Sequence, residues 1–152
     1  MGYLIMKLLH ILFVVLFLGN IITAVFWKRH ADNSKDPSII GHTIKGIMKA
    51  DRYFTMPGVI GLAIFGFAAQ GMFPWSITTG WILWSIILFV ISGAVFMGRV
   101  VPIQKKLIAL TASSDFNQAE YQALSKQWDL WGTIATVAPL IAVILMVLKV
   151  PH

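Results

Sequence analysis

Four runs of about 20 apolar residues, separated by short segments that hold nearly all of the charges, constrain this chain more than any other feature. A run of this length crosses the roughly 30 Å hydrocarbon core of a bilayer as an α-helix. We predict spans at about residues 3–27, 54–73, 81–101 and 130–148. Charged residues make up only 12% of the chain, about half the share found in soluble domains. The sequence therefore predicts an all-α integral membrane four-helix bundle, with residues 1–152 as a single transmembrane domain.

The basic residues predict the orientation of the bundle. Ten of the 12 Lys and Arg residues lie in or beside the first and third connections, whereas the second connection, FPWSITTG, carries no charge. Segments rich in Lys and Arg stay on the cytoplasmic side. We therefore predict a multi-pass membrane protein with both termini outside. The net charge of +6 follows from this topology, so the expected partners are the lipid bilayer and either a second copy or a membrane complex, and not nucleic acid.

The two charged connections have helical patterns of their own. In DPSIIGHTIKGIMKADRYF, Asp36 is suited to the N-cap and Pro37 to the first helical position. Isoleucines recur at helical spacing after them, so we predict an amphipathic helix that lies flat on the cytoplasmic face of the membrane. In the third connection, Asp115 and Gln118 have the spacing of a capping box, and the helix they open is expected to run on into span four.

Small residues in the spans predict where helices pack closely, because apolar side chains gain little from leaving lipid for one another. No Asp or Glu lies within any predicted span, which argues against a carboxylate-based proton relay or an ion-coupled carrier. The predicted seams are Gly58, Gly61, Gly66 and Gly71 in span two, Ala94 and Gly98 in span three, and Gly132, Thr136, Ala138 and Ala142 in span four.

His10 is the polar residue whose position most needs a reason. It lies seven residues into span one, roughly 10 Å below the outer edge at 1.5 Å per residue, on a face shared with Phe13, Val14 and Phe17. A neutral imidazole in an aromatic, apolar setting is a good axial ligand for haem iron. The alternative is a structural histidine that bonds to a neighbouring hydroxyl or carbonyl. The absence of cysteine excludes thiolate and iron–sulfur chemistry.

Three segments resemble the HemJ-type protoporphyrinogen oxidase family. MKLLHILFVVLFLGN is similar to that family's first helix, RYFTMPGVIGLAIFGF to its second motif, and GWILWSIILF stands in the place of its Gly-Trp motif. The resemblance is closer to a family of small bacterial membrane proteins known as domain of unknown function 2269, and it implies a location in the bacterial cytoplasmic (inner) membrane. That second resemblance adds VVPIQKKL and LMVLKVP and covers nearly the whole chain.

The first resemblance implies a cofactor. In the HemJ-type family the first-helix histidine is thought to bind haem b, with a lysine of the Gly-Trp helix as its partner. His10 matches that histidine and is the implied metal ligand, whereas the lysine position falls on Ser85, at a depth similar to that of His10. Serine is a poor iron ligand. The resemblance therefore implies either a haem b held by His10 alone or a Ser85–His10 hydrogen bond without haem.

Two classes of function remain open at this stage. The first is a membrane protein that binds haem b through His10 and has a redox or haem-linked role. The second is a protein without a cofactor: a non-catalytic membrane subunit, an assembly factor or a binder of an apolar solute. Whether the chain is an enzyme is left open by the residues, because no nucleophile–base pair, phosphate-binding loop or HExxH motif is present.

Overall fold

The computed structural model describes residues 1–152, and it is 86% helical with no strands. Its six α-helices are α1 (Gly2–Ser34), α2 (Pro37–Ala50), α3 (Met56–Gly71), α4 (Gly80–Val95), α5 (Val101–Thr111) and α6 (Gln118–Leu148). A π-helical turn at Asp51–Thr55 joins α2 to α3, and a second one at Phe96–Val100 joins α4 to α5. The chain thus forms four continuous helices of 33, 35, 32 and 31 residues, each apolar and long enough to cross a membrane.

The four helices are longer than a bilayer requires. At 1.5 Å per residue they extend about 47 to 53 Å, against a hydrocarbon core of about 30 Å. The surplus lies at one end of the bundle and includes α2, α5 and the first turns of α6. We call this end, with residues 28–52 and 99–128, the charged end. The all-α membrane bundle predicted from the sequence is confirmed.

The amphipathic helix predicted in the first connection is present as α2. Asp36 caps it by accepting a hydrogen bond from the Ser38 backbone N–H at 2.8 Å, and Pro37 stands at its start. Ile40 and Ile44 are buried within the protein. The expected flat position on the membrane surface is wrong, because α2 continues through the first π turn into α3 as one helix. Its isoleucines meet other helices of the charged end, so the apolar face is covered by protein.

The start of α6 also differs in detail from the sequence prediction. The N-cap is Asn117, whose side chain accepts hydrogen bonds from the backbone N–H groups of Ala119 and Glu120 at 3.0 and 3.2 Å. The predicted capping box at Asp115 and Gln118 is therefore wrong by two residues. The expected continuity is confirmed, since α6 runs to Leu148 without a break.

The helices associate in two pairs. Along the bundle α1 packs against α3, and α4 packs against α6. Neither α1 nor α3 makes a close backbone contact with α4. The pairs are joined at the charged end, where α2 packs on α5 and α1 on α6. The largest buried apolar cluster lies there: Ala31, Ile40, Ile44, Val100, Ile103, Leu107, Tyr121, Trp128 and Ala135.

Glycines of α3 form the seam with α1. A Cβ at Gly58 would come within 3.0–3.1 Å of Phe17, one at Gly61 within 2.3 Å of the Phe13 ring, and one at Gly66 within 2.8 Å of His10 Nδ1. Close packing of this kind replaces the hydrophobic driving force that lipid removes. The seam predicted in span two is confirmed at these three positions. It is wrong at Gly71, and the seam in span three is wrong at Gly98, because a Cβ at either glycine would meet nothing within 4 Å.

Candidate functional site

A cavity of about 430 Å³ lies between the two helix pairs, on the membrane side of the charged end. We call it the cleft. Its walls are mostly apolar, and Phe17 of α1 meets Phe89 of α4 edge to face there, with ring centroids 6.2 Å apart. The cleft exists because the helix pairs touch only through side chains at this level. The lining also includes Asp51, Thr55, Gly93, Phe96, Gln104 and Trp128.

The polar groups of the cleft gather around Asp51, in the first π turn. Asp51 is 7% exposed. Its Oδ1 accepts hydrogen bonds from Asn20 Nδ2 at 3.1 Å and from Thr55 Oγ1 at 2.9 Å, and its Oδ2 accepts one from Gln104 Nε2 at 3.5 Å. All three donors are neutral. Both ion pairs in the protein involve Lys28, so the Asp51 carboxylate has no cationic side chain within 4 Å.

Two further atoms at this end of the cleft are buried without a hydrogen-bond partner, Gln104 Oε1 and Trp128 Nε1. Gln104 is 2% exposed and Trp128 3%. Rotating the Gln104 amide by half a turn would not give its oxygen a hydrogen-bond donor, because that oxygen would then face the Asp51 carboxylate. An unpaired buried polar atom costs about 1–3 kcal/mol. Both atoms are fully buried, so they lie behind the wall of the cleft and not on its surface.

A second polar cluster lies beside the cleft and is almost fully paired. Lys28, 1% exposed, forms an ion pair with Asp32 Oδ2 at 2.6 Å and donates to Ser125 Oγ at 2.5 Å. Asp129 Oδ1 lies 4.0 Å from the same ammonium group. The Tyr121 hydroxyl donates to Asp32, and burial, followed by that bond and the negative charge of Asp32, raises the pKa of Tyr121. This cluster ties α1 to α6 and closes the charged end.

The structure places His10 at the α1–α3 seam, away from the cleft. Its Nδ1 lies 2.7 Å from the carbonyl oxygen of Leu62. A carbonyl only accepts, so Nδ1 carries the proton and Nε2 keeps a free lone pair. The ring occupies the space left by Gly66. This bond is the carbonyl contact expected of a structural histidine. A histidine that binds a metal through one ring nitrogen commonly makes the same contact through the other, and this contact fixes the orientation of the ring.

Ser85 lies in the other helix pair. It is 3% exposed, and its hydroxyl donates to the carbonyl oxygen of Trp81 at 2.7 Å and, more weakly, to that of Ala142 at 3.2 Å. Ser85 therefore faces α6. The expected Ser85–His10 hydrogen bond is not formed, and a lysine at position 85 would extend from the α4–α6 seam. Ser85 is therefore not placed to act as a second axial ligand beside His10.

A family model matches residues 4–150 of the chain. The chain belongs to that family, which is described as Predicted integral membrane protein (DUF2269). No curated protein and no solved structure matches it. The family description agrees with the four membrane-crossing helices and states no activity.

The sequence reading missed the cleft and its carboxylate. Asp51 precedes predicted span two by three residues, and counting along one helix places it outside the apolar region. The structure brings it beside Asn20, seven residues inside the end of predicted span one, which is roughly 10 Å along the helix axis. No Asp or Glu lies within a predicted span, but the fold brings the Asp51 carboxylate against the apolar residues of span one. The available signal was Asn20, a polar side chain in an apolar run that needed a partner.

Proposed function

We propose that this protein binds a small, largely apolar molecule in the cleft between its helix pairs. The observation that carries the proposal is a cavity with apolar walls and a polar end formed by the side chains of Asp51, Thr55 and Gln104. Sites for small molecules have volumes of about 300–1,000 Å³, apolar walls and a few polar groups that orient the ligand. The cleft, at about 430 Å³, has all three properties. This is the solute-binding alternative of the sequence reading, with a specific location.

The proposal is tested by saturable labelling of the cleft. The probe is 3-trifluoromethyl-3-phenyldiazirine, a small apolar photolabel, applied to the protein in lipid nanodiscs and mapped by mass spectrometry. Residues that merely face lipid take up label in proportion to probe concentration. Labelling of peptides that contain Phe89 and Thr55 should instead saturate. Strictly proportional labelling at both peptides would refute the proposal.

Two glycines provide a matched pair of variants. A Cβ at Gly93 or at Gly19 would meet nothing within 4 Å, but Gly93 lines the cleft and Gly19 does not. Gly93→Leu should fill the cleft and remove the saturable component, and Gly19→Leu should retain it. Both substitutions are on regular helices, so both variants are expected to fold. Equal effects of the two would show that the label does not enter this cavity.

A second candidate function is supported by the tautomer of His10. The Nδ1–Leu62 contact leaves Nε2 free to bind iron, in agreement with the resemblance of the first helix to the HemJ-type family. In this proposal His10 holds haem b as the single protein ligand, and the haem supplies one-electron chemistry for a redox or haem-linked role. The role of the chain is to orient the imidazole, through the Leu62 carbonyl and the space at Gly66.

An absorption spectrum tests the haem proposal. The purified protein should show a Soret band that shifts on reduction with dithionite. His10→Ala should abolish it, and His42→Ala, at an exposed position of α2, should leave it unchanged. If the wild type shows no Soret band even after growth with added haem precursor, His10 is a structural histidine.

We also propose that the charged end faces the cytoplasm of a bacterial cell and that both termini face out. Ten of the 12 basic residues support this orientation, which places the cleft in the half of the bilayer nearer the cytoplasm. Reporter fusions after Lys35 should read cytoplasmic, and fusions after Ser76 external. The opposite pattern would invert the bundle.

A further inference from the structure

The carboxylate of Asp51 is buried at the polar end of an apolar cleft and has no counter-charge. Desolvation of a lone carboxylate is so costly that the group either takes up a proton or pairs with a cation. Its three hydrogen-bond donors, Asn20, Thr55 and Gln104, are neutral. The nearest buried cation, Lys28, is already paired with Asp32 at 2.6 Å. The protein itself therefore offers Asp51 no positive charge.

The other groups at this end also suit a positive charge. The rings of Phe17, Phe89 and Phe96 line the same cavity, and aromatic faces attract cations, more strongly where water is excluded. One unpaired donor, Trp128 Nε1, would not suit a cation. The ring of Trp128 already has the Lys28 ammonium group 5.0 Å from its centroid. A ligand with a negative head would meet the Asp51 carboxylate at close range.

We propose that the molecule bound in the cleft is a lipophilic organic cation, whose positive head pairs with Asp51 and whose apolar body lies between α1 and α4. This inference rests on the proposed function, since it assigns a charge to the occupant of the same cleft. An inorganic cation such as Na⁺ has the same charge but leaves the apolar walls without a partner. The size and apolar lining of the cavity favour the organic cation.

Two ions of nearly identical size and shape test the sign of the charge. Tetraphenylphosphonium is positive and tetraphenylborate is negative. Binding of each is measured by equilibrium dialysis against the protein in nanodiscs, with empty nanodiscs subtracted. Tetraphenylphosphonium should bind saturably, and tetraphenylborate should show no saturable component. Gly93→Leu should abolish tetraphenylphosphonium binding, and Gly19→Leu should retain it.

Asp51→Asn tests the residue. The asparagine keeps the oxygen that accepts from Asn20 and Thr55, and its new amide group can donate to Gln104 after that side chain turns over. The variant should therefore fold. It should bind tetraphenylphosphonium on the order of tenfold more weakly or worse, because an ion pair from which water is largely excluded is strong at short range. Binding should be equal in sodium chloride and in N-methylglucamine chloride of the same ionic strength.

The outcomes separate the two proposals. If the diazirine labels the cleft saturably but tetraphenylborate binds as well as tetraphenylphosphonium, or Asp51→Asn binds the cation unchanged, the assignment of a cation fails and the proposed function stands. If sodium alone displaces tetraphenylphosphonium, the carboxylate belongs to a sodium ion and the assignment is overturned. If neither the diazirine nor tetraphenylphosphonium binds saturably, both proposals fail.

Discussion

Asp32 and Asp51 are two carboxylates of one bundle with opposite surroundings. Asp32 meets a buried ammonium group, a phenol and a hydroxyl, and its cluster joins α1 to α6. Asp51 meets only neutral donors, and its cluster borders a cavity. The comparison separates two uses of a buried charge. A charge paired within the protein closes an interface, whereas an unpaired charge at a cavity leaves a place for something from outside.

The largest expected effect comes from removing the cation of the closed cluster. Lys28→Met leaves Asp32, which is 23% exposed, without its counter-charge. Loss of one partner of a fully buried ion pair costs about 3–5 kcal/mol. Because water still reaches Asp32, we expect a fall at the lower end of that range, about 3 kcal/mol, in the free energy of unfolding, measured by denaturant titration in mixed micelles. Lys45→Met, at an exposed position of α2, should change it by less than about 0.5 kcal/mol. Similar losses in both variants would show that Lys28 acts only as a surface charge.

The next effect depends on pH and concerns Tyr121. Burial and the neighbouring Asp32 raise the pKa of Tyr121 above its ordinary value of 10.0. The folded protein thus keeps the phenol proton after the unfolded chain has lost it, so this contribution to stability is complete below pH 10 and is lost as the pH rises above it. The wild type should lose stability more steeply than Tyr121→Phe above pH 10, by up to about 1.4 kcal/mol per pH unit. Parallel curves would mean that Tyr121 titrates normally.

The smallest expected effect compares the two carboxylates directly, through the same substitution at each. Asp51→Asn should lower the free energy of unfolding by less than about 1 kcal/mol, because each of its hydrogen bonds can be kept or reversed. It should raise that free energy where the carboxylate is ionised and unpaired, because the substitution removes a desolvated charge. The same substitution at Asp32 removes the charge that faces Lys28 and should cost about 3 kcal/mol or more. Equal costs in the two variants, measured in the same micelles, would show that the two carboxylates have the same structural role.

The outline of the fold could be read from the sequence because its signals are local. Apolar runs give the four helices, Asp36 and Pro37 give the start of α2, and the glycines of α3 mark a face of that helix that packs closely. These features depend on residues within a few turns of one another. Ser85 shows the limit of such a reading. Its depth in the bundle is predictable, but the helix that it faces depends on how the pairs are arranged.

The site could not be predicted from the sequence, because its residues come from helices that are far apart along the chain. The sequence assigns Lys28 to a charged connection, yet the side chain is buried by Ser125 and Trp128, almost 100 residues later. Asp51 belongs by sequence to the end of an amphipathic helix and by structure to a cavity wall. Periodicity shows that a helix has a buried face. It does not show which helix covers that face, or where two faces fail to meet.

The two π turns determine how the two halves of their helices are rotated relative to each other. Each turn is followed by a proline, Pro57 or Pro102, which has no N–H for the usual helical hydrogen bond. Each turn is closed by a hydrogen bond to the carbonyl oxygen five residues earlier, from Met56 N–H to Asp51 and from Val101 N–H to Phe96. A π turn acts as one residue inserted into an α-helix. Since one residue corresponds to about 100° of rotation, the membrane half and the charged half of each helix keep separate angular settings. Removing a single residue from either turn would rotate one half of the helix about its axis relative to the other half. Both halves would stay helical, but every inward side chain beyond the deletion would point in a new direction.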